Sequence, residues 1–304
     1  MTAHDRTRLT DHLERHHTPV MTTEVMEFIH PKRCSVIVDG TTGEGGHSRI
    51  FLENADCRVI CFDADSDMLS MAKRNLSNFS SRVEFIHSNY SDIKNTLASI
   101  GINGVDGILL DLGISMAHIK GLKRGITFSD NQPLDMRLDT SKGFPASYYI
   151  NSMTENEISD VLWKYGEERQ SRRIAKAIVS TRRKVRIENT DKLVEIITKA
   201  YMGRSRINPA TRSFQAFRIL VNNELRHLED AIPDCLECLM PGGTLVIISY
   251  HSLEDRIVKY SFKNANPEEY VILTKKPICP SDEERISNRA SRSAKLRAIR
   301  RVDD

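Results

Sequence analysis

Several short apolar runs are each followed by a glycine-rich or acidic segment. Glycines and carboxylates are the residue types that bind nucleotide-like ligands in α/β proteins. The first segment reads Asp39-Gly-Thr-Thr-Gly-Glu-Gly-Gly-His47. Glycines let backbone approach a ligand closely, so this turn predicts a binding site at the start of a helix. Its spacing matches neither the GxGxxG of dinucleotide-binding proteins nor the GxxxxGK[ST] of nucleoside triphosphatases, which disfavours both classes.

Two side chains after the next apolar runs complete the predicted site. Asp63 stands where a nucleotide-binding α/β unit places a carboxylate on ribose hydroxyls, and Tyr90 could lay its ring against an adenine. Singly these signals are weak, because tight glycine turns and carboxylates after strands are common. In this order they favour a site for S-adenosylmethionine or a dinucleotide. The first segment resembles the first motif of class I methyltransferases, in which an acidic residue leads a glycine-rich loop.

A fourth carboxylate, Asp111, ends the apolar run Val105-Asp-Gly-Ile-Leu-Leu-Asp111. The carboxyl ends of parallel strands at the topological switch point are where catalytic groups collect. Methyltransferases that act on exocyclic amines of bases usually carry an acidic or amide-bearing motif here, because the amine lone pair is delocalised into the ring. Asp111 is therefore the candidate catalytic residue, which would orient the amine and take up its proton.

The elements that position these residues alternate between apolar runs and amphipathic stretches, as βαβ units with a parallel sheet do. Candidate strands span residues 35–38, 58–62, 83–87, 107–110 and 244–249. More than a hundred residues without a convincing strand separate the last two. Helical periodicity recurs within that gap, over residues 155–165, 168–183, 192–202 and 214–239, where Pro233 must begin or interrupt a helix.

The pattern predicts an α/β fold, a class I (Rossmann-like) methyltransferase domain with an inserted small helical domain. We assign residues 1–128 and 211–304 to a discontinuous S-adenosylmethionine-binding domain. Residues 129–210 form the predicted helical insertion for substrate recognition.

Composition limits the classes of protein without identifying a partner. The chain has 304 residues, 39% hydrophobic and 28% charged, which is typical of globular domains, and its net charge of +3 is too small to indicate a polyanion by itself. The first fifteen residues are polar, and no run is long enough to span a bilayer, so we expect a cytoplasmic protein. Of six cysteines, only Cys235 and Cys238 form a CxxC; their amphipathic setting favours packing over metal binding.

Local basic clusters bear on nucleic acid. Arg169, Arg172, Arg173 and Lys176 recur at helical spacing within the predicted insertion. Such a stripe suits phosphate binding and a solvated helix face equally well. The tail over residues 285–301 adds seven Arg or Lys residues and no acid, which favours RNA.

Longer motifs carry a specific resemblance over nearly the whole chain. They read His17-Thr-Pro-Val20, the turn at 39–48, Val105-Asp-Gly-Ile-Leu-Leu-Asp-Leu-Gly-Ile114, Pro133-Leu-Asp-Met-Arg137, Tyr165-Gly-Glu-Glu-Arg169, Pro209-Ala-Thr-Arg-Ser-Phe-Gln-Ala216, Val221-Asn222, Glu224-Leu225, His251-Ser-Leu-Glu-Asp-Arg-Ile-Val-Lys259 and Arg292-Ser-Ala-Lys-Leu-Arg297. In this set and order, the chain closely resembles the RsmH (MraW) family. That family N4-methylates a cytidine in the decoding region of bacterial 16S ribosomal RNA.

The resemblance implies S-adenosyl-L-methionine as cofactor and 16S rRNA, within the small ribosomal subunit, as partner. It leaves the oligomeric state open and implies neither a metal nor a membrane. The implied cofactor contacts are Gly45, Gly46, His47, Asp63, Tyr90 and Asp111; from the residues alone, His47 is only a helix-start residue. Candidate substrate-binding residues are Arg212, Gln215, His251 and Arg292.

Three departures from the family pattern bear on the site. His118 stands where the family usually has a Gln that contacts the cofactor, so this contact is expected to fall to His118. Asn208 replaces the usual His before Pro209, and Tyr250 replaces the usual Phe before His251. The second change keeps an aromatic ring.

Two other functions remain compatible with the same α/β core. One is a dinucleotide-dependent oxidoreductase, which the missing GxGxxG disfavours and which NAD binding would identify. The other is a non-catalytic RNA-binding or ribosome-assembly protein, in which changing Asp111 would leave the role intact.

Overall fold

A seven-stranded mixed sheet forms the centre of the computed structural model, which describes residues 18–115, 117–118, 121–204 and 208–303. His17, the first residue of a sequence motif, lies outside these residues. The strand order is β3-β2-β1-β4-β5-β7-β6, with β7 antiparallel to β5 and to β6. The first five strands pair in parallel. The parallel strands and the helices between them confirm the predicted α/β fold.

Five of the strands overlap the predicted apolar runs, whereas the last two along the chain were not predicted. They are β1 (Val36–Asp39), β2 (Arg58–Asp63), β3 (Val83–His87), β4 (Val105–Asp111), β5 (Leu239–Ser249), β6 (Tyr270–Ile272) and β7 (Lys295–Arg301). Successive side chains of a strand point to opposite faces, and both faces of this sheet are covered. In β1, for example, Ile37 packs into one apolar core and Val38 into the other. This two-sided burial explains the continuous apolar runs.

Helices on the two faces supply the other half of each core. They are α1 (Thr22–Ile29), α2 (Gly46–Asn54), α4 (Ile93–Ser99), α10 (Glu224–Cys238) and α11 (Ser252–Asn264). The other helices of this part of the chain are α3 (Ser66–Asn75) and α12 (Asp282–Ser287), and α12 buries none of its residues. Apolar side chains of α1 and α2 pack on one face, whereas those of α4, α10 and α11 pack on the other. The sheet's carboxyl edge is thereby fixed between two rigid layers.

Among the described residues, five helices precede α10 in the strandless gap between β4 and β5. They are α5 (Ala146–Ser152), α6 (Glu155–Gly166), α7 (Ser171–Arg182), α8 (Thr190–Ala200) and α9 (Thr211–Asn222). Thr154 begins α6 with a capping box, in which its side chain and that of Glu157 each accept from the other's backbone amide. These helices share a third apolar core built from residues between Leu134 and Val221. The boundaries 129 and 210 given for the insertion remain a prediction.

Two sequence expectations need correction here. The predicted helix over 214–239 is two helices, α9 and α10, because Asn223 between them adopts a left-handed conformation with φ 49°. Pro233 lies inside α10 rather than at its start. The basic tail, for which no strand was predicted, contains β7, and Leu296, Ala298 and Ile299 on this strand are fully buried.

Cys235 and Cys238 are both buried on α10, as the packing interpretation expected. Among the described residues, no helix combines the length and apolarity needed to cross a membrane.

Candidate active site

A cavity of about 620 Å³ opens at the carboxyl ends of β1, β2 and β4. This volume is typical of sites for small molecules and cofactors. Six of the residues predicted from the sequence line it, namely Gly46, His47, Asp63, Tyr90, Asp111 and His118. Gly45 lies directly beneath this wall, at the start of α2. The predicted cofactor residues therefore come together at one place.

The glycine-rich turn forms a cradle along one wall of the cavity. Gly43 and Gly45 have φ values of 55° and 87°, which side-chain-bearing residues rarely adopt. A Cβ on Gly46 would lie 2.6 Å from Cγ of Pro19. Asp39 stabilises the turn: its buried carboxylate accepts a hydrogen bond from the hydroxyl of Ser48 at 2.6 Å. The leading acid of the motif thus shapes the loop.

Asp63 faces the cavity from the end of β2. Its Oδ2 accepts from the amide of Gly43 at 2.7 Å, and its Oδ1 accepts from the amide of Asp65 at 2.8 Å. Burial raises the pKa of Asp63 to about 6, although these two amides and the nearby His118 act in the opposite direction. The carboxylate is fixed against the glycine turn, and its contact with a ribose stays a prediction.

Tyr90 follows β3 and lines the cavity, with its Cβ next to Gly40. Burial raises the pKa of its hydroxyl well above the ordinary value. The side chain therefore offers a neutral aromatic surface.

Asp111 lies at the end of β4 and is held from several sides. Its backbone amide donates to Oγ1 of Thr41 at 2.6 Å, and its Oδ1 accepts from the hydroxyl of Tyr250 at 2.7 Å. Oδ2 lies 3.5 Å from Nε2 of His47, a buried ring nitrogen that makes no hydrogen bond. The carboxylate is thus oriented by the protein while its side chain still faces the cavity.

Tyr250 is the main site residue that sequence reasoning did not select, although its replacement of the family's Phe was visible. It follows β5, and its backbone amide donates to Oε2 of Glu254 at 2.8 Å. Gly113 makes room for its ring, since a Cβ there would lie 2.8 Å from Cε2 of Tyr250. Burial and the adjacent Asp111 raise the pKa of Tyr250 well above its ordinary value, so the hydroxyl stays a donor.

His118 is buried at the cavity wall, and the structure gives it protein partners. Its Nε2 lies 2.9 Å from Oδ2 of Asp65, which also pairs with the buried guanidinium of Arg124 at 2.6 Å. Burial alone would raise the pKa of Asp65, but the bonds from His118 and Arg124 outweigh it and lower that pKa. A direct contact of His118 with the cofactor stays a prediction.

A second polar group borders the cavity opposite the glycine turn. Arg218 donates from Nε and Nη2 to the two carboxylate oxygens of Glu224, at 2.8 and 2.9 Å. Glu224, His251 and Glu254 bring one donor atom each within 4.8 Å of one another, an arrangement compatible with a metal ion. The Arg218 guanidinium already neutralises Glu224, and the metal-free reaction expected from the sequence stays a prediction.

Of the predicted substrate-binding residues, none lines this cavity, and each has a partner elsewhere. Arg212 and Gln215 donate to the backbone carbonyls of Glu167 and Tyr165, and Arg292 donates to that of Arg285. His251 caps α11 by accepting from the amide of Glu254. Their roles toward a substrate stay predictions.

The basic tail is more constrained than its composition indicated. Arg297 is 6% exposed and donates from Nε to Asp255 at 2.7 Å. Arg297 therefore forms an ion pair inside the protein and is not free to bind phosphate. This corrects, for Arg297, the expectation that the cations of the tail bind RNA.

Comparison with known proteins gives a consistent result. The sequence matches the MraW methylase family over residues 14–302. It is 41% identical to an Ehrlichia canis protein and 43% identical to an Anaplasma marginale (strain St. Maries) protein, both called Ribosomal RNA small subunit methyltransferase H. These alignments cover 94% of this chain and 100% and 99% of the relatives. An rRNA methylase from Streptococcus thermophilus superposes with a TM-score of 0.42 at 12% identity, covering 88% of this chain and 87% of that one.

Proposed function

Because the chain belongs to the MraW methylase family, we propose that it methylates ribosomal RNA of the small subunit. More specifically, the proposed product is N4-methylated cytidine in the decoding region of 16S rRNA. The observation that carries the proposal is Asp111, a carboxylate held at the end of β4 beside the glycine cradle.

S-adenosylmethionine is the methyl donor, and the cavity residues fit it. The left-handed glycines leave room against the turn, the fixed carboxylate of Asp63 suits a ribose, and the ring of Tyr90 suits an adenine. His47 offers a buried ring nitrogen that lacks a hydrogen-bond partner in the protein. When bound, the cofactor supplies an electrophilic methyl group on a sulfonium sulfur.

The protein's part in the reaction is to place an amine against that methyl group. The lone pair of a cytosine amine is delocalised into the ring, so the amine must be oriented to react. Asp111 would accept a hydrogen bond from the amine, in a direction fixed by Tyr250, and then take up the proton that the methylated nitrogen releases.

The cysteines favour nitrogen over carbon-5 as the target atom. Methylation at carbon-5 of a pyrimidine uses covalent attack by a thiolate. All six cysteines are among the described residues, and none lines the cavity. A direct in-line transfer to N4 needs no such nucleophile.

We assign RNA recognition to the inserted helices together with Arg212, Gln215, His251 and Arg292. On α7 the cations Arg172, Arg173 and Lys176 are exposed, whereas Ile174 and Ile178 face the core. This exposed basic face is suited to neutralise phosphates.

The test is transfer of radiolabelled methyl from S-adenosylmethionine to small ribosomal subunits purified from cells that lack the protein. We expect labelled RNA with the wild type and a loss of about 10²- to 10⁴-fold with Asp111→Asn. The control is Asp230→Asn, which removes a surface carboxylate paired with Arg226. Equal transfer by the Asp111 variant would remove this carboxylate from the mechanism, and no transfer by the wild type would contradict the proposed function.

A further inference from the structure

The stretch from Arg137 to Tyr148 carries an exposed aromatic pair next to the cavity. The rings of Phe144 and Tyr148 stack with centroids 4.3 Å apart and an angle of 20° between their planes. Phe144 is 53% exposed and Tyr148 is 46% exposed. Large rings are normally buried, and these two keep about half of their surface exposed although Tyr148 also meets the ring of Tyr149, with centroids 5.5 Å apart.

The pair stands at the rim of the cavity rather than on a remote surface. Lys142 and Gly143, which directly precede Phe144, line the cavity. An RNA chain that places one nucleotide in the cavity must continue out of it across the rim, next to the rings of Phe144 and Tyr148.

Hydrogen bonds hold the backbone of this rim in place. Arg137 donates from Nη1 to the carbonyl of Thr140 at 3.0 Å, and its guanidinium also pairs with Asp135. Asn222 of α9 ties the base of the loop by accepting from the amide of Leu138 and donating to the carbonyl of Met136, both at 2.8 Å. The aromatic pair is therefore presented in a fixed position relative to the cavity.

We propose that Phe144 and Tyr148 form a stacking platform for an unpaired RNA base that flanks the target nucleotide. The inference rests on the proposed function. An enzyme that draws a base into a pocket breaks the stacking between that base and its neighbours. An aromatic side chain at the rim replaces the lost stacking, and it does so for any base because every base has a π-face.

The test compares substitutions that keep or remove the π-face. Base-aromatic stacking corresponds to a rise of about 5- to 140-fold in RNA Kd when it is lost. We expect Phe144→Leu to raise Kd and KM for RNA within this range and leave kcat at saturating RNA unchanged. Phe144→Trp should retain wild-type affinity. The matched control is Tyr260→Leu on α11, which changes a 52% exposed aromatic outside both the cavity wall and the inserted helices.

A short unstructured RNA that carries 2-aminopurine supplies a direct signal, since stacking on the platform quenches its fluorescence. Wild type and Phe144→Trp should quench it, and Phe144→Leu should not. Unchanged Kd and quenching in Phe144→Leu would overturn the platform. So would weaker binding to whole subunits with unchanged RNA binding, since the pair would then contact a ribosomal protein. Failure of the proposed function would appear separately, as absence of methyl transfer by the wild type.

Discussion

Removing one hydroxyl, in Tyr250→Phe, tests how Asp111 acts. The hydroxyl donates to Oδ1 of Asp111 at 2.7 Å, and the ring is otherwise enclosed beside Gly113. Phenylalanine keeps the ring, so the variant loses the hydrogen bond without leaving a cavity in the packing.

The expected effect follows from the energy of that bond. A hydrogen bond to a charged group contributes about 1.5–3 kcal/mol. If its loss raised the activation barrier by the full amount, kcat would fall by about 13- to 160-fold. His47 lies 3.5 Å from the other oxygen of Asp111 and continues to restrict the carboxylate. We therefore expect kcat to fall by about tenfold, near the lower limit, with KM for RNA unchanged.

The assay is steady-state methyl transfer at saturating cofactor, with Tyr270→Phe as the matched control. Tyr270 donates its hydroxyl to the carbonyl of Leu236, away from the cavity, so its loss should leave kcat unchanged. The alternative is that proton uptake by Asp111 limits the rate. The Tyr250 hydroxyl would then slow the reaction, because its hydrogen bond stabilises the ionised carboxylate and makes it a weaker base. A kcat equal to or above wild type would therefore refute the orienting role.

Three further changes follow from the same geometry. Protonation of Asp63 as the pH falls through about 6 should weaken cofactor binding by up to about tenfold per pH unit, and Asp63→Asn should abolish this dependence in calorimetric titrations. Gly45→Ala places a side chain at φ 87° and 3.0 Å from Cδ1 of Leu76; we expect a loss of about 1–2 kcal/mol in unfolding free energy and weaker cofactor binding, and unchanged denaturation would contradict the cradle. Arg124→Met strands the buried carboxylate of Asp65 and should cost about 3–5 kcal/mol in urea denaturation at pH 7. The pKa of Asp65 is lower in the native than in the unfolded protein, so its ionised carboxylate stabilises the fold above the unfolded-state pKa, and this stabilisation is lost as the pH falls through the native pKa. The difference in unfolding free energy between wild type and Arg124→Met should therefore shrink below about pH 4.

The sequence predicted those parts of the site that depend on strand ends. The strands that end at Asp39, Asp63 and Asp111 read as apolar runs because both faces of the sheet are buried there. The strand β3, which precedes Tyr90, lies at the edge of the sheet, and its side chains are mostly half-buried. Parallel strands bring their carboxyl ends to one edge, so these side chains were expected near one another, and the structure places Asp63, Tyr90 and Asp111 around one cavity.

The parts that the sequence did not predict depend on pairings between distant segments. The bond from Tyr250 to Asp111 joins residues 139 positions apart, and nothing in the local sequence of either predicts it. The strand β7 alternates buried Leu296 and Ala298 with cations whose charges are balanced elsewhere, Arg297 by Asp255. Its basic composition therefore indicated an RNA-binding tail, because the acid that balances Arg297 lies on α11, far along the chain.

The identity of the methylated nucleoside tests the central claim most directly. Small subunits from cells lacking the protein would be treated with the purified chain and S-adenosylmethionine, and the 16S rRNA digested for nucleoside analysis by mass spectrometry. The account predicts N4-methylated cytidine with the wild type and its loss with Asp111→Asn. Formation of 5-methylcytidine would contradict the assignment of Asp111 to an exocyclic amine, and a methylated amine on a nucleoside other than cytidine would contradict the proposed substrate.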